Sequence, residues 1–315
     1  MSEGNAKLYG THIVITSSDE TPNVIIGKNF KIHFIRQENY KGIIEHYVEH
    51  EVIIEAKSIS RAQFACDLIL CSMCLKDSML IGLRDIAVYP IDSDNNEKPL
   101  YYNTINKFDT PNIPLYCTIA SKISFRRSYI NAINKYLLSC EIHSTHWVDL
   151  DPSNGPIIPL SPFPYDHLRY GYAIVIAYSV VEELNLGVHA SSNKPSLIKG
   201  KWNQVVKDDL ENRLLKANID IKDPIVWERR GSKKNLEKRR APELVKKASW
   251  AYGNIRDCEV LIIDAINSIS WLRSRIAAHK VDTDIKSLSV YDVSNAQCLA
   301  RRLILESLGF WKINE

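Results

Sequence analysis

Residues 262–280, IIDAINSISWLRSRIAAHK, carry a long helical pattern that ends in a cluster of basic side chains. Apolar residues recur there at three- and four-residue steps, which is the spacing of one buried helix face. They are Ile262, Ile263, Ile266, Ile269, Leu272 and Ile276. This stripe predicts a long helix over residues 255–279 that packs against other helices.

Working outward, the same periodicity predicts further helices over residues 60–80, 123–140, 165–186, 204–217, 243–252 and 293–308. The first sixty residues instead alternate apolar and polar positions, which predicts strands over 12–16, 29–35 and 48–55. Five prolines within residues 149–164 interrupt any regular element and mark a domain boundary. We therefore expect an α+β protein, with a mixed α/β region over 1–150 and an all-α helical bundle over 151–315.

Composition and charge limit the classes of function. A hydrophobic fraction of 45% and a charged fraction of 24% are typical of globular proteins. The start of the sequence lacks a basic segment followed by an apolar one, so we expect a cytoplasmic location and no membrane partner. Residues 151–315 hold 25 Lys and Arg against 20 Asp and Glu, which places the basic excess in the second half.

Motifs for nucleotide and metal chemistry are weak in this sequence. It has no glycine-rich phosphate loop and no G-x-S-x-G, so triphosphatase, dinucleotide and serine-hydrolase functions lose their usual support. Cys66, Cys71 and Cys74 match part of an iron–sulfur spacing, but they fall in an apolar helical pattern where thiols act as small hydrophobes. We predict neither a metal site nor a cofactor.

A basic segment over residues 228–247 holds nine Lys and Arg against three acidic residues. Such a segment attracts phosphate backbones by releasing their counterions, although a solvated loop has the same composition. The candidate RNA contacts in this segment are Arg229, Arg230, Lys233, Lys234, Arg239 and Arg240. Lys280, at the end of the helical stretch quoted above, is a further candidate.

The end of the long helix combines Arg273, Arg275 and His279. A histidine moves protons near neutral pH, and guanidinium groups stabilise the charge that develops on a phosphate. RNA supplies its own 2′-hydroxyl nucleophile, so this set needs no metal. A regular helix places Arg275 beside His279, whereas Arg273 requires a distorted helix end. The alternative is a solvated helix terminus whose cations complement the helix dipole.

This segment resembles the signature of HEPN (higher eukaryotes and prokaryotes nucleotide-binding) domains, in which an Arg and a polar residue precede a His by a short interval. Here Arg273, Ser274 and His279 match, with five residues between the Arg and the His. Residues 178–185 resemble the first long helix of these domains, where an acidic side chain, here Glu182 or Glu183, faces the motif. Residues 299–310 resemble their closing helix.

The resemblance covers about residues 165–311 and implies a metal-independent endoribonuclease that acts as a homodimer with both motifs at a two-fold cleft. By this resemblance, His279 would act as general acid and base, and Arg273 and Arg275 would bind the phosphate. Ser274 would orient His279 or the substrate. Glu182 would support them. Family members are often toxins or phage-defence proteins with an antitoxin or defence partner. The alternative is a non-catalytic module that binds nucleotide or RNA, or assembles with a partner protein.

Overall fold

The computed structural model describes residues 6–17, 22–36, 48–77, 88–91, 107–108, 112–143, 164–230, 244–252, 255–278 and 288–312. The protein has an α+β fold, as the sequence predicts, and forms two compact units, Met1–Ile130 and Asn131–Glu315. The division between them falls inside one helix. The predicted boundary at 150/151 lies outside the described residues and stays a prediction.

The first unit contains a six-stranded sheet within the described residues. Its strands are β1 (Lys7–Ser17), β2 (Val24–Gly27), β3 (Phe30–Arg36), β4 (Val48–Ala56), β5 (Tyr89–Pro90) and β6 (Lys107–Phe108). The order is β2-β3-β4-β1-β5, and all of these neighbours are antiparallel. Strand β6 pairs in parallel with β1. The predicted strands over 12–16, 29–35 and 48–55 are therefore confirmed.

Two helices pack in this unit, α1 (Ile59–Asp77) and α2 (Ile113–Ser124). Phe30, Ile32 and Phe34 alternate along β3 and are all buried, as a half-buried strand requires. The predicted helix over 60–80 corresponds to α1, and its Cys66, Cys71 and Cys74 are buried. The helix predicted over 123–140 is divided, because α2 ends at Ser124 and α3 (Arg127–Ile142) begins after a two-residue break.

The second unit is built around α4 (Pro164–Glu183), α5 (Gln204–Lys216), α6 (Ile262–Ala278) and α7 (Val290–Ser307). Helices α4, α6 and α7 pack against one another and share one apolar core. The predicted stripe on α6 faces this core, since Ile262, Ile266 and Leu272 are buried. Within the described residues, no helix has the length and apolar character needed to cross a membrane.

The expectation that this region is wholly helical is wrong. A hairpin of β7 (Leu197–Ile198) and β8 (Lys201–Trp202) follows α4, and β9 (Ile225–Arg230), β10 (Leu244–Tyr252) and β11 (Ile255–Val260) form an antiparallel sheet in the order β10-β11-β9. The helix predicted over 243–252 is instead β10, and the one predicted over 255–279 begins only at Ile262. The pairing of β10 with β11, and of β11 with β9, overrides local helical preference here.

Candidate functional site

Arg273 on α6 contacts Glu182 in the last turn of α4. Its Nη2 lies 3.2 Å from Glu182 Oε1 and 3.5 Å from Oε2. Both side chains reach solvent, with 41% of Arg273 and 44% of Glu182 exposed. The packing of α4 on α6 therefore holds a guanidinium group at the surface in a defined orientation.

Tyr178 lies beneath this ion pair, one helical turn before Glu182. The guanidinium carbon of Arg273 is 6.0 Å from the centre of the Tyr178 ring, and the ring is 3% exposed. Burial raises the pKa of the Tyr178 hydroxyl, although hydrogen bonds with Ser270 and the backbone of Val188 act in the opposite direction. The phenol therefore stays neutral and supports Arg273 through its ring.

Glu183, the other acidic candidate on α4, faces a different element. Its carboxylate accepts hydrogen bonds from Lys135 Nζ at 2.6 Å and from Asn131 Nδ2 at 3.0 Å, both on α3. Adjacent helical residues point about 100° apart, so the packing of α4 can bring only one of the two carboxylates to α6. The structure thus pairs Glu182, and not Glu183, with the motif.

Ser274 and Arg275 remain exposed on α6. The Ser274 hydroxyl donates to the carbonyl of Trp271 at 2.7 Å, so its proton is engaged within the helix. The Arg275 guanidinium carbon lies 5.6 Å from the Trp271 ring centre, and among the described residues it has no carboxylate partner. The motif thus presents one arginine that is paired and one that is stacked on an aromatic ring.

Helix α6 is regular as far as Ala278, and His279 and Lys280 lie outside the described residues. Whether Arg273 or Arg275 lies beside His279 therefore stays a prediction.

Few of the predicted RNA contacts fall in the part of the chain that the structure describes. Arg229 and Arg230 lie on β9, where they pair in register with Arg256 and Ile255 of β11. The others, Lys233, Lys234, Arg239, Arg240 and Lys280, fall outside the described residues. The basic segment therefore has a strand at its beginning and another at its end, where Lys246 and Lys247 belong to β10.

The segment that follows α4 is anchored next to Tyr178. Arg213 on α5 donates to the carbonyls of Asn185 at 2.6 Å and Gly187 at 2.8 Å. His189 then lies with its Nδ1 3.5 Å from Asp209 Oδ2 and is largely exposed. His189 thus has a carboxylate neighbour in this unit.

Sequence reasoning did not select Tyr178 or His189. The four-residue step from Tyr178 to Glu182 is the signal that places both on one helix face, but it is equally common in helices without a site. His189 gave no comparable signal, because its neighbour Asp209 comes from a different element. Among the described residues, no three His, Cys, Asp or Glu side chains are grouped as ligands of a metal ion. No known protein family, curated protein or solved structure matches this chain.

Proposed function

We propose that this protein is a metal-independent endoribonuclease of the HEPN type that cleaves cytoplasmic RNA as a homodimer. The observation that carries the proposal is the contact between Arg273 and Glu182, which holds a guanidinium group six positions before His279. A fixed, charged donor of this kind stabilises the transition state more than a freely moving one, since it needs no reorganisation during the reaction. A role as a toxin or phage-defence effector fits such an activity.

In the proposed reaction, the 2′-oxygen of RNA attacks the adjacent phosphorus and the bond from phosphorus to the 5′-oxygen breaks. His279 accepts the proton of the 2′-hydroxyl and returns a proton to the departing 5′-oxygen. Arg273, oriented by Glu182, contacts the phosphate, and Arg275 adds positive charge beside it. The products are a 2′,3′-cyclic phosphate and a 5′-hydroxyl.

A homodimer would bring two copies of the motif to one cleft. This doubles the positive charge around the scissile phosphate, and a two-fold axis is the commonest way to assemble identical chains. Sedimentation of the active protein tests this part of the proposal. A fully active monomer would overturn it.

The catalytic proposal is tested with end-labelled RNA incubated with purified protein in EDTA. We expect cleavage that leaves cyclic phosphate ends, and a loss of about 100-fold or more in His279→Ala and Arg273→Ala. Arg275→Ala should lose less, because its side chain is not held by a carboxylate. His189→Ala and Arg301→Ala are matched controls on the same unit and should keep their activity.

Three results would contradict the proposal: cleavage that needs added metal, cleavage that survives His279→Ala, and loss of cleavage in His189→Ala. Intact RNA that is bound tightly at low salt and released at high salt would identify a binding module instead.

A further inference from the structure

A pocket of about 270 Å³ opens on the first unit, at the turn between β2 and β3. Its walls come from that turn, from the first two turns of α1 and from the corner where α2 ends and α3 begins. None of these elements belongs to the region that resembles HEPN domains. The pocket therefore shares no residue with the proposed nuclease site.

The pocket is strongly cationic. Lys28, Arg61 and Arg127 line it, and none of the described residues that line it is acidic. Among the described residues, these three side chains also have no carboxylate partner. Three cations around one small cavity repel one another, and an anion in the cavity would relieve that repulsion.

The backbone adds to this positive field. Arg61 is the third residue of α1 and Arg127 is the first residue of α3, so both lie where a helix has its positive end. Neither helix has an acidic residue in its first turn. Basic side chains at this end of a helix are unfavourable in isolation, but together with the helix dipole they suit a phosphate group.

Hydrogen bonds hold the turn in place. The backbone N–H of Lys28 donates to Ser124 Oγ at 2.8 Å, and the Ser124 hydroxyl donates to the Ser121 carbonyl at 2.6 Å. Ser124 is only 2% exposed, and Asn29 adopts the left-handed conformation with φ of 69°. The Lys28 side chain thus starts from a fixed backbone position beside the start of α3.

Two aromatic residues and Ile130 form the apolar part of the pocket lining. Phe30 is buried, and Phe64 is 37% exposed beside Arg61 on α1. A flat ring can stack on an exposed phenylalanine, as bases do on aromatic side chains. The volume lies just below the usual range of about 300–1,000 Å³ for small-molecule sites, which suits a ligand as small as one nucleotide.

We propose that this pocket binds a mononucleotide, with its phosphate among Lys28, Arg61 and Arg127 and its base on Phe64. The test is isothermal titration of the His279→Ala protein with four nucleoside 5′-monophosphates, with adenosine and with inorganic phosphate. We expect at least one monophosphate to bind, and adenosine and inorganic phosphate each to bind about tenfold or more weakly, because each lacks one half of the recognised chemistry.

Matched variants locate the site. Arg127→Ala, Arg61→Gln and Phe64→Ala should each weaken binding about tenfold, which is the effect of losing one charged or stacking contact. Arg126→Ala and Phe125→Ala are the controls, since these exposed neighbours lie outside the pocket lining and should leave binding unchanged. The pocket substitutions are at exposed side chains, and circular dichroism checks that each variant folds.

The proposal is overturned if no monophosphate binds at millimolar concentration, or if binding is insensitive to Arg127→Ala and Arg61→Gln. If inorganic phosphate binds as tightly as the monophosphates, the pocket recognises an anion and not a nucleotide. A 5′-phosphorylated oligonucleotide that binds more tightly than any monophosphate would reassign it to RNA ends. Binding that disappears in Arg273→Ala would place the ligand in the second unit, so failure here is distinct from failure of the nuclease proposal.

Discussion

Arg302 on α7 is 1% exposed and donates from Nε to Glu306 Oε2 at 2.9 Å, one turn along the same helix. The rest of its guanidinium binds the Asp223 carboxylate and the carbonyls of Asp223 and Pro224. This network joins α7 to the segment that leads into β9. A buried arginine is tolerated only when its donors are used in this way.

We predict that Arg302→Leu destabilises the protein by about 3–5 kcal/mol, because the buried Glu306 carboxylate keeps its hydrogen bond from the Asp220 N–H but loses its cationic partner. The same substitution in a Glu306→Gln background should cost less, with a coupling of about 0.5–3 kcal/mol. Chemical denaturation of the four proteins in the cycle measures this coupling. Strictly additive effects would contradict the prediction.

Glu182→Gln separates stability from activity. An ion pair as exposed as that of Glu182 and Arg273 contributes less than about 1 kcal/mol to folding. RNA cleavage should nevertheless fall about tenfold or more, because the guanidinium loses the carboxylate that orients it. Glu183→Gln is the matched control on the same helix, and it should leave cleavage unchanged. Equal cleavage by the two variants would show that Glu182 has no positioning role.

We expect the Glu55 carboxylate to stabilise the folded protein by an amount that depends on pH. Hydrogen bonds from Lys31 and then His33 lower the pKa of the Glu55 carboxyl below its ordinary value of 4.5. A lowered pKa in the folded state stabilises the protein above pH 4.5, and this stabilisation is lost as the pH falls through the folded-state pKa. Glu55→Gln should therefore be less stable than the parent protein at pH 7, by less than about 1 kcal/mol.

The difference should shrink as the pH is lowered below 4.5. Urea denaturation of both proteins at pH 7 and at pH 3.5 to 4 provides the measurement. A difference that stays constant over this range would mean that the ionised carboxylate contributes nothing.

The thiols of α1 should be unreactive in the folded protein. Burial raises the pKa of Cys66 to about 12 and also raises the pKa of Cys71 and of Cys117 on α2. At pH 8 only about one Cys66 side chain in 10⁴ is then a thiolate, which is the reactive form. Mass spectrometry after iodoacetamide treatment should find Cys298, which is half-buried, modified well before Cys66. Equal rates of modification at Cys66 and Cys298 would contradict the prediction.

Local patterns predicted the elements that depend on local interactions. Helix α5 begins within a residue of its predicted position, because the Asn203 side chain accepts a hydrogen bond from Val205 N and caps it. The helix predicted over 243–252 is a strand because β10 is stabilised by its pairing with β11, and a single segment does not contain that information.

In the candidate site, too, the sequence predicts what depends on local spacing but not what depends on the packing of one helix against another. The spacing to His279 selects Arg273, whereas the sequence offers Glu182 or Glu183 as the acidic residue and favours Glu182 only through the resemblance. Only the rotation of α4 about its axis chooses between them, and that rotation depends on core contacts such as the approach of Ile276 to Gly171, where an added Cβ would lie 3.1 Å from Ile276 Cγ2. The sequence did not identify Tyr178 as a site residue for the same reason, since its position under Arg273 follows from helix packing.

The contact with Glu182 uses Nη2 of Arg273, so under the proposed function the other donors of the guanidinium group meet the phosphate while the carboxylate stays in place. The carboxylate offsets part of the guanidinium charge, so Arg273 would neutralise less of the RNA backbone than an unpaired arginine. The salt dependence of RNA affinity should therefore be shallower than the number of basic residues implies.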